Sequence, residues 1–433
     1  MTRQIDDSVH LRNDRTFIRV MGWHGAWTPW MAEGRLHNMG KGSHSAAPNA
    51  IGYQHQTWWA LVELLQSGAA RPDAALSLEL YDDVAWEREG TATELLQVKH
   101  HIGQHRTLTD SSADVWRTLK VWMDEAAPAD ATGPALALVT TEEAAAATAV
   151  AALRPHARDE KEALRLLEHV ARTSGSKQTD AARQQFLGLG PAARLTFLSR
   201  IRVIDNSPHI EDVAAQVKRH LHWALPSGHE DLFLAMVWRW WDDMSLALLQ
   251  GNQRSVDVGD AQAAIADIRD QFTRQNLPTL VELADVNAVD LQEKYRMHPF
   301  VQQMHWVAFP PRNLQKAIVD YYRAYTHSVR WLEEDLIGLA ELTRFEGELV
   351  DEWEREFEWM LDTLDEDAGE DEKKSAGKQL LRQLLGQTSL TVRSRYSDPY
   401  FARGQRHVLA DTGRIGWHAD FETRIAELLK VNA

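Results

Sequence analysis

The chain has 433 residues, a formal net charge of −16, 44% hydrophobic and 25% charged residues, and no cysteine. A chain of that length divides into two or three domains at roughly 100–200 residues each, and its composition is that of a water-soluble globular protein. The missing thiols exclude disulfides, zinc–thiolate sites and thiol nucleophiles and fit a reducing cytoplasm, and no apolar run reaches the roughly 20 residues of a membrane-spanning helix.

A net negative field repels phosphate and argues against nucleic-acid binding. The acid is unevenly spread, however. Much of it lies between Glu333 and Glu372 and is densest over Asp362–Glu372, so a phosphate-binding face on the N-terminal half has to be a local feature. The dense stretch reads as a solvated loop between helices, with occupation of a DNA cleft as its functional alternative.

In chain order, residues 1–49 show no helical or strand periodicity and are expected as a flexible N-terminal tail. Trp23, Trp27 and Trp30 could anchor a short turn there, and Met39 offers an alternative start. Gly34–Gly42 resembles a phosphate loop only superficially: its spacing is wrong and no strand precedes it. From Tyr53, the residues Trp58, Trp59, Leu61, Val62 and Leu65 form a helical stripe that Ser67-Gly68 ends. Leu76, Leu78 and Leu80 alternate with polar residues as a strand, Arg88-Glu-Gly90 turns the chain, and Glu94–Lys99 returns as a second strand. A helix around Trp116–Trp122, a strand at Leu136–Thr140 and an Ala-rich helix over Glu142–Leu153 complete the order α-β-β-α-β-α, a small mixed sheet flanked by helices over residues 50–155.

Residues 156–255 read as a helical linker domain, with helices at Glu160–Arg172, Asp180–Leu187, Ala192–Leu198, Ile210–Leu221 and Asp231–Leu249. The short strand Ile201–Ile204 either extends the first sheet or begins the linker. Residues 256–433 form an all-α C-terminal domain, broken by a few β-prone residues over Leu390–His418 and closed by a helix at Phe421–Val431. Most of the 17 tryptophans, among them Trp238, Trp240, Trp241 and Trp331, sit at helical spacing with Leu and Val and read as core.

Chemistry concentrates at the first hairpin. Side chains alternate along a strand, so Gln97 and Lys99 share one face while Val98 points to the core. Phosphodiester hydrolysis needs a divalent cation on oxygen ligands, a positioned water and a cation near the developing charge. Asp83 can supply a carboxylate oxygen, the Gln97 side-chain oxygen and the Val98 carbonyl can add to an Mg²⁺ shell, and Lys99 can polarise water and offset phosphorane charge. The plain alternative makes Asp82 and Asp83 solvated strand-end charges and Lys99 a surface residue beside them. His100, His101 and His105 could form a metal site, contact phosphate or pack locally; His220 and His222 read as surface residues.

Five blocks in order carry a resemblance: Gly52–Gln56, Leu78–Val84, Leu96–His101, Leu108–Ser112 with Trp116, and Leu138–Thr141. Over roughly residues 50–220 the chain resembles restriction-endonuclease-like effector nucleases of bacterial antiphage defence, in the PD-(D/E)xK superfamily and its Q-x-K variant. The resemblance implies an Mg²⁺-dependent double-stranded DNA endonuclease, with Mn²⁺ as a possible substitute. Asp83, Gln97 and Lys99 would be catalytic, with Glu63 on the first helix as a possible further metal ligand. Consecutive acids leave the acidic role open among Asp83, Asp82 and Glu79. A homo-oligomer is expected, because many such nucleases need two sites to cut both strands.

The C-terminal half is similar to the C-terminal domains of ABC-three-component defence systems, through Leu314–Ala324, Trp331, Glu341-Leu342, Asp351–Glu354 and Gly416-Trp-His418. That resemblance implies a sensor or assembly module that engages a partner ATPase or another defence subunit. The rival reading is a non-catalytic adapter that holds DNA or such an ATPase.

Overall fold

The computed structural model describes residues 47–100, 107–156 and 158–431. The expectations for the N-terminal tail, for Trp23, Trp27, Trp30 and Gly34–Gly42, and for His101 and His105 lie outside the described residues.

Helix α1 (Ala47–Ser67) forms where the apolar stripe places it and buries Trp59, Leu61 and Val62. The following strands differ from the expected hairpin. Strand β1 (Ala75–Leu78) stops two residues early, and the chain turns through Glu79–Asp83 into β2 (Val84–Arg88). Glu79 adopts a left-handed φ of 51°, which no extended strand accommodates, and its N–H donates to the Asp83 carbonyl at 3.3 Å. Leu80, expected on the strand's buried face, is therefore exposed in the turn. Gly90, at φ 75°, makes the second turn as anticipated and leads into β3 (Thr91–Lys99).

Next come β4 (Thr107–Leu108), α2 (Ala113–Glu125), β5 (Ala135–Thr140) and β6 (Glu143–Ala144). The Ala-rich helix expected over Glu142–Leu153 is confined to α3 (Ala149–Ala152). Ala147 turns the chain at φ 57°, and the buried Asp110 carboxylate accepts the Ala149 and Val150 N–H groups at 2.9 and 3.2 Å, so the helix starts there. Helices α4 (Glu160–Thr173), α5 (Asp180–Gly188) and α6 (Pro191–Arg200), strand β7 (Ile201–Ile204), α7 (Ile210–His220) and α8 (Glu230–Leu249) match their expected bounds within two residues. Strand β8 (Val256–Asp257) runs directly into α9 (Val258–Asp270).

Six strands form one mixed sheet in the order β7-β5-β3-β2-β1-β8, while β4 and β6 pair separately. The pairs β3–β5 and β5–β7 are parallel, and the others in the sheet are antiparallel. The 156–255 stretch builds both faces of this sheet. One face carries Leu96 and Val98 of β3 against α1, α7, α8 and α9; the opposite face carries Leu95 against α2 and α4–α6.

The remaining helices, α10 (Ala288–Tyr295), α11 (Pro299–Trp306), α12 (Pro311–Glu333), α13 (Leu339–Asp362), α14 (Glu370–Gly386), α15 (Pro399–Asp411) and α16 (Phe421–Val431), enclose a third core with Trp331, Trp353 and Trp417. The β-prone stretch after Leu390 gives only an isolated bridge between Arg393 and Tyr396 before α15. Helices α12 and α15 approach so closely that a Cβ on Gly404 would fall inside van der Waals distance of the Asp320 carbonyl. Tryptophan is mostly core, as expected, but Trp223 and Trp359 are exposed. Among the described residues, no helix is long and apolar enough to cross a membrane.

Candidate functional site

The C-terminal ends of the parallel strands β3 and β5 lie at one end of the sheet, the side on which open α/β sheets usually bind ligands. The β1–β2 turn brings Asp82 and Asp83 to the same end, beside Gln97 and Lys99. Strand β2 starts at Val84, opposite Leu96, so the backbone of Val98 has no strand partner on that edge. The Asp83 side chain fills the gap: its Oδ2 accepts the Val98 N–H at 2.8 Å. Because the N–H and C=O of one strand residue point the same way, the Val98 carbonyl lies on the same edge as the Asp83 carboxylate. Lys99 Nζ stands 3.4 Å from Asp83 Oδ2, and both side chains reach solvent in part.

Asp82 and Asp83 have different surroundings. The Asp82 carboxylate is buried and accepts from the Gln97 amide, from the Trp122 indole N–H at 2.8 Å and from the Asp83 N–H at 2.9 Å. Burial pushes its carboxyl up from the usual range, against the pull of those three donors. Its oxygens are committed to holding α2 and Gln97 in place, which leaves Asp83 as the acid open to a ligand. Glu79 takes a third part: Gln56 of α1 donates to Glu79 Oε1 and to the Asp83 carbonyl, both at 2.8 Å, and so pins the turn.

Gln97 differs from the sequence expectation. Its amide nitrogen faces Asp82 and, at 3.3 Å, Asp83 Oδ1. A carboxylate can only accept, so the side-chain oxygen assigned to a metal is turned away from both acids. Ligation of a cation beside Asp83 by Gln97 requires the amide to rotate; ligation by Asp83 and the Val98 carbonyl does not. That pair suits Mg²⁺, which is commonly held by one or two carboxylates, with waters and substrate oxygens completing its shell.

Glu63 is not at this site. It is buried under the middle of the sheet, where it accepts the Trp86 indole N–H at 2.9 Å. Seven residues of helix separate it from Gln56, a rise of roughly 10 Å. The side chain on α1 that does reach the turn is Gln56.

Three imidazoles cluster around His100, the residue after Lys99. His55 and His100 have ring centroids 4.3 Å apart, and His100 and His209 lie 6.0 Å apart. His55 is fully buried and its Nε2 meets the Pro208 carbonyl at 2.9 Å, so Nε2 carries the proton. Burial lowers its pKa, which keeps the ring neutral. His100 was expected near the site; His55, His209, Gln56 and Trp122 were not singled out for it. The block Gly52–Gln56 contained two of these four, but only its position in a resemblance marked it.

Among the described residues, the group of three His, Asp or Glu side chains whose ligand atoms converge is Glu370, His418 and Asp420, far along the chain from Asp83. Lys373 binds Asp420 at 3.1 Å, and Arg424 and Lys374 bind Glu370 at 2.6 and 3.4 Å, so these acids already have cationic partners. Part of the acidic stretch expected as a free loop is thereby engaged within the C-terminal half.

No curated protein and no solved structure matches the chain. Residues 300–425 match the family model for C-terminal domain 7 of the ABC-three component (ABC-3C) systems, a span from α11 into α16. Over that span the chain thus carries a C-terminal domain of the ABC-three-component antiphage defence systems.

Proposed function

We propose that the sheet-containing half is an Mg²⁺-dependent endonuclease acting on double-stranded DNA, and that the C-terminal domain joins it to a partner of the defence system and controls it. The observation that carries this reading is the meeting of Asp83, the Val98 backbone and Lys99 at one end of the sheet, with Gln97 anchored behind them by Asp82. A small mixed sheet flanked by helices, with this constellation at the end of β3, is compatible with that reading.

Asp83 and the Val98 carbonyl would hold the cation, with Mn²⁺ as a substitute. A bound Mg²⁺ lowers the pKa of a coordinated water and offsets charge on the scissile phosphate. Lys99 donates toward the phosphate oxygens or the attacking water. Asp82 and Trp122 keep Gln97 in register, while Gln56 and Glu79 hold the turn against α1. The imidazole of His209, edge-on to His100, adds a donor near Lys99 for the DNA backbone.

The test is cleavage of plasmid and linear duplex DNA by the full chain in Mg²⁺, with EDTA, Asp83→Asn and Lys99→Ala as controls. Loss in all three supports the reading; cleavage that persists in both variants refutes it. A chain silent alone is assayed again with its partner ATPase. Silence there favours a non-catalytic adapter, a reading supported by the Gln97 amide turned onto the acids and by the lack of three converging acidic or imidazole ligands at Asp83 among the described residues.

A further inference from the structure

A cavity of about 380 Å³ lies where the sheet-containing half meets the helical C-terminal half. Its walls come from both: His229 at the start of α8 and the segment after α9 on one side, Glu341 of α13 and Arg393 between α14 and α15 on the other. Arg393 is the rivet. It binds Glu341 with both ends of its guanidinium at 2.8 and 3.0 Å and also donates to the Asn276 and Leu336 carbonyls at 3.0 and 2.7 Å. Its donors are spent on the wall.

Arg274 is spent on nothing: among the described residues it has no ion-pair or hydrogen-bond partner, and it lines the same cavity. With Glu341 balancing Arg393, the cavity keeps one net positive charge in a chain whose formal charge is −16. A local charge opposite to the global one focuses anions. Beside it, the rings of His229 and Phe272 lie 6.1 Å apart, tilted by 30°, and His229 Nδ1 is buried without a hydrogen-bond partner. The two rings give the cavity an aromatic wall, which suits a ligand with a flat ring.

We propose that this junction cavity binds a small anionic ligand carrying a flat heterocycle, of the nucleoside monophosphate class, with Arg274 on the phosphate and Phe272 and His229 on the ring. The volume is near the lower end of the roughly 300–1,000 Å³ of small-ligand pockets, which suits one nucleotide and excludes a duplex. A ligand held by walls from both halves favours one arrangement of the two, which is how an effector acts. This inference does not rest on the cleavage reading.

The experiment is titration calorimetry of the full chain in EDTA with AMP, GMP, CMP and UMP, beside inorganic phosphate and adenosine as the two halves of the ligand. Saturable one-to-one binding of at least one nucleotide is expected, tighter than either half alone. It should weaken at least about tenfold in Arg274→Gln, the loss of one charge-assisted contact. Asp83→Asn, remote from the cavity, should bind as wild type does. Arg274 is exposed, so its variant should keep the wild-type Tm and remain a fair comparison. No heat with any of the four nucleotides at millimolar concentration overturns the proposal, as does equal binding by Arg274→Gln.

Discussion

His327 of α12 holds the segment ahead of the C-terminal domain in place, and it can do so only while neutral. Its Nδ1 meets the Arg323 carbonyl at 2.6 Å and must carry the proton; its Nε2 accepts the Leu280 and Val281 N–H groups at 2.9 and 3.3 Å. A second proton would set an N–H against two N–H groups in a fully buried position. Burial accordingly pushes the His327 pKa down from 6.5 to about 4. The folded state binds fewer protons than the unfolded one, so the stability this ring contributes is full above pH 6.5 and is lost as pH falls toward 4. At 1.36 kcal/mol per pKa unit, the loss is about 1 kcal/mol at pH 5.5 and roughly 3 kcal/mol by pH 4. His407, buried and held near 3, adds to the loss with the same sign. Urea unfolding between pH 7.5 and 5 would measure the slope in wild type and in His327→Gln, whose amide oxygen still accepts from Leu280 but does not titrate. The variant should show a slope shallower by about one proton, and the protection of the Leu280 and Val281 amides relative to their intrinsic exchange rates should fall on acidification in wild type alone. Equal slopes, or amides equally protected at pH 7.5 and 5, would refute the reasoning.

Other perturbations separate roles at the candidate site and in the cores. Trp122→Phe removes one donor from the buried Asp82 carboxylate and should cost about 1–3 kcal/mol in a denaturant titration; cleavage should fall with it, because Asp82, which anchors Gln97, is itself held less firmly. Glu63→Gln keeps an oxygen for the Trp86 indole and should leave both stability and cleavage near wild type, whereas abolished cleavage in a stable variant would restore Glu63 as a ligand. Gly404→Ala forces α15 away from α12 and should cost about 1–3 kcal/mol; an unchanged unfolding midpoint would show that the two helices give way freely.

The helices were legible wherever an apolar stripe repeated for three turns, as in α4, α7, α8 and α16. The turn at Glu79–Asp83 was not. Leu76, Leu78 and Leu80 keep the alternation of one strand, and nothing local announces that Glu79 takes a left-handed backbone. The Q-x-K pair and its neighbouring acids were visible as residue types at strand spacing. The division of labour between Asp82 and Asp83 was hidden, because it depends on Trp122, forty positions away in sequence. Placing Glu63 at the site followed from its helix alone; the face of α1 was right for the sheet, but the turn of the helix was two too far along. The junction cavity draws on His229, Arg274 and Arg393, which no periodicity groups together.

Strand β8 is two residues long, yet it covers the outer edge of β1, pairing Leu76 with Val256 and Ala75 with Asp257, and the Val258 N–H then donates to the Ala74 carbonyl at 3.1 Å. An uncovered β-strand edge is a template for other chains. Cutting the protein at the apparent boundary before Val256 would bare that edge on the strand leading into the Asp83 turn. Fragments of the sheet-containing half ending at Ser255 should therefore self-associate, while fragments carried through α9 should keep a capped edge and stay dispersed in size-exclusion chromatography.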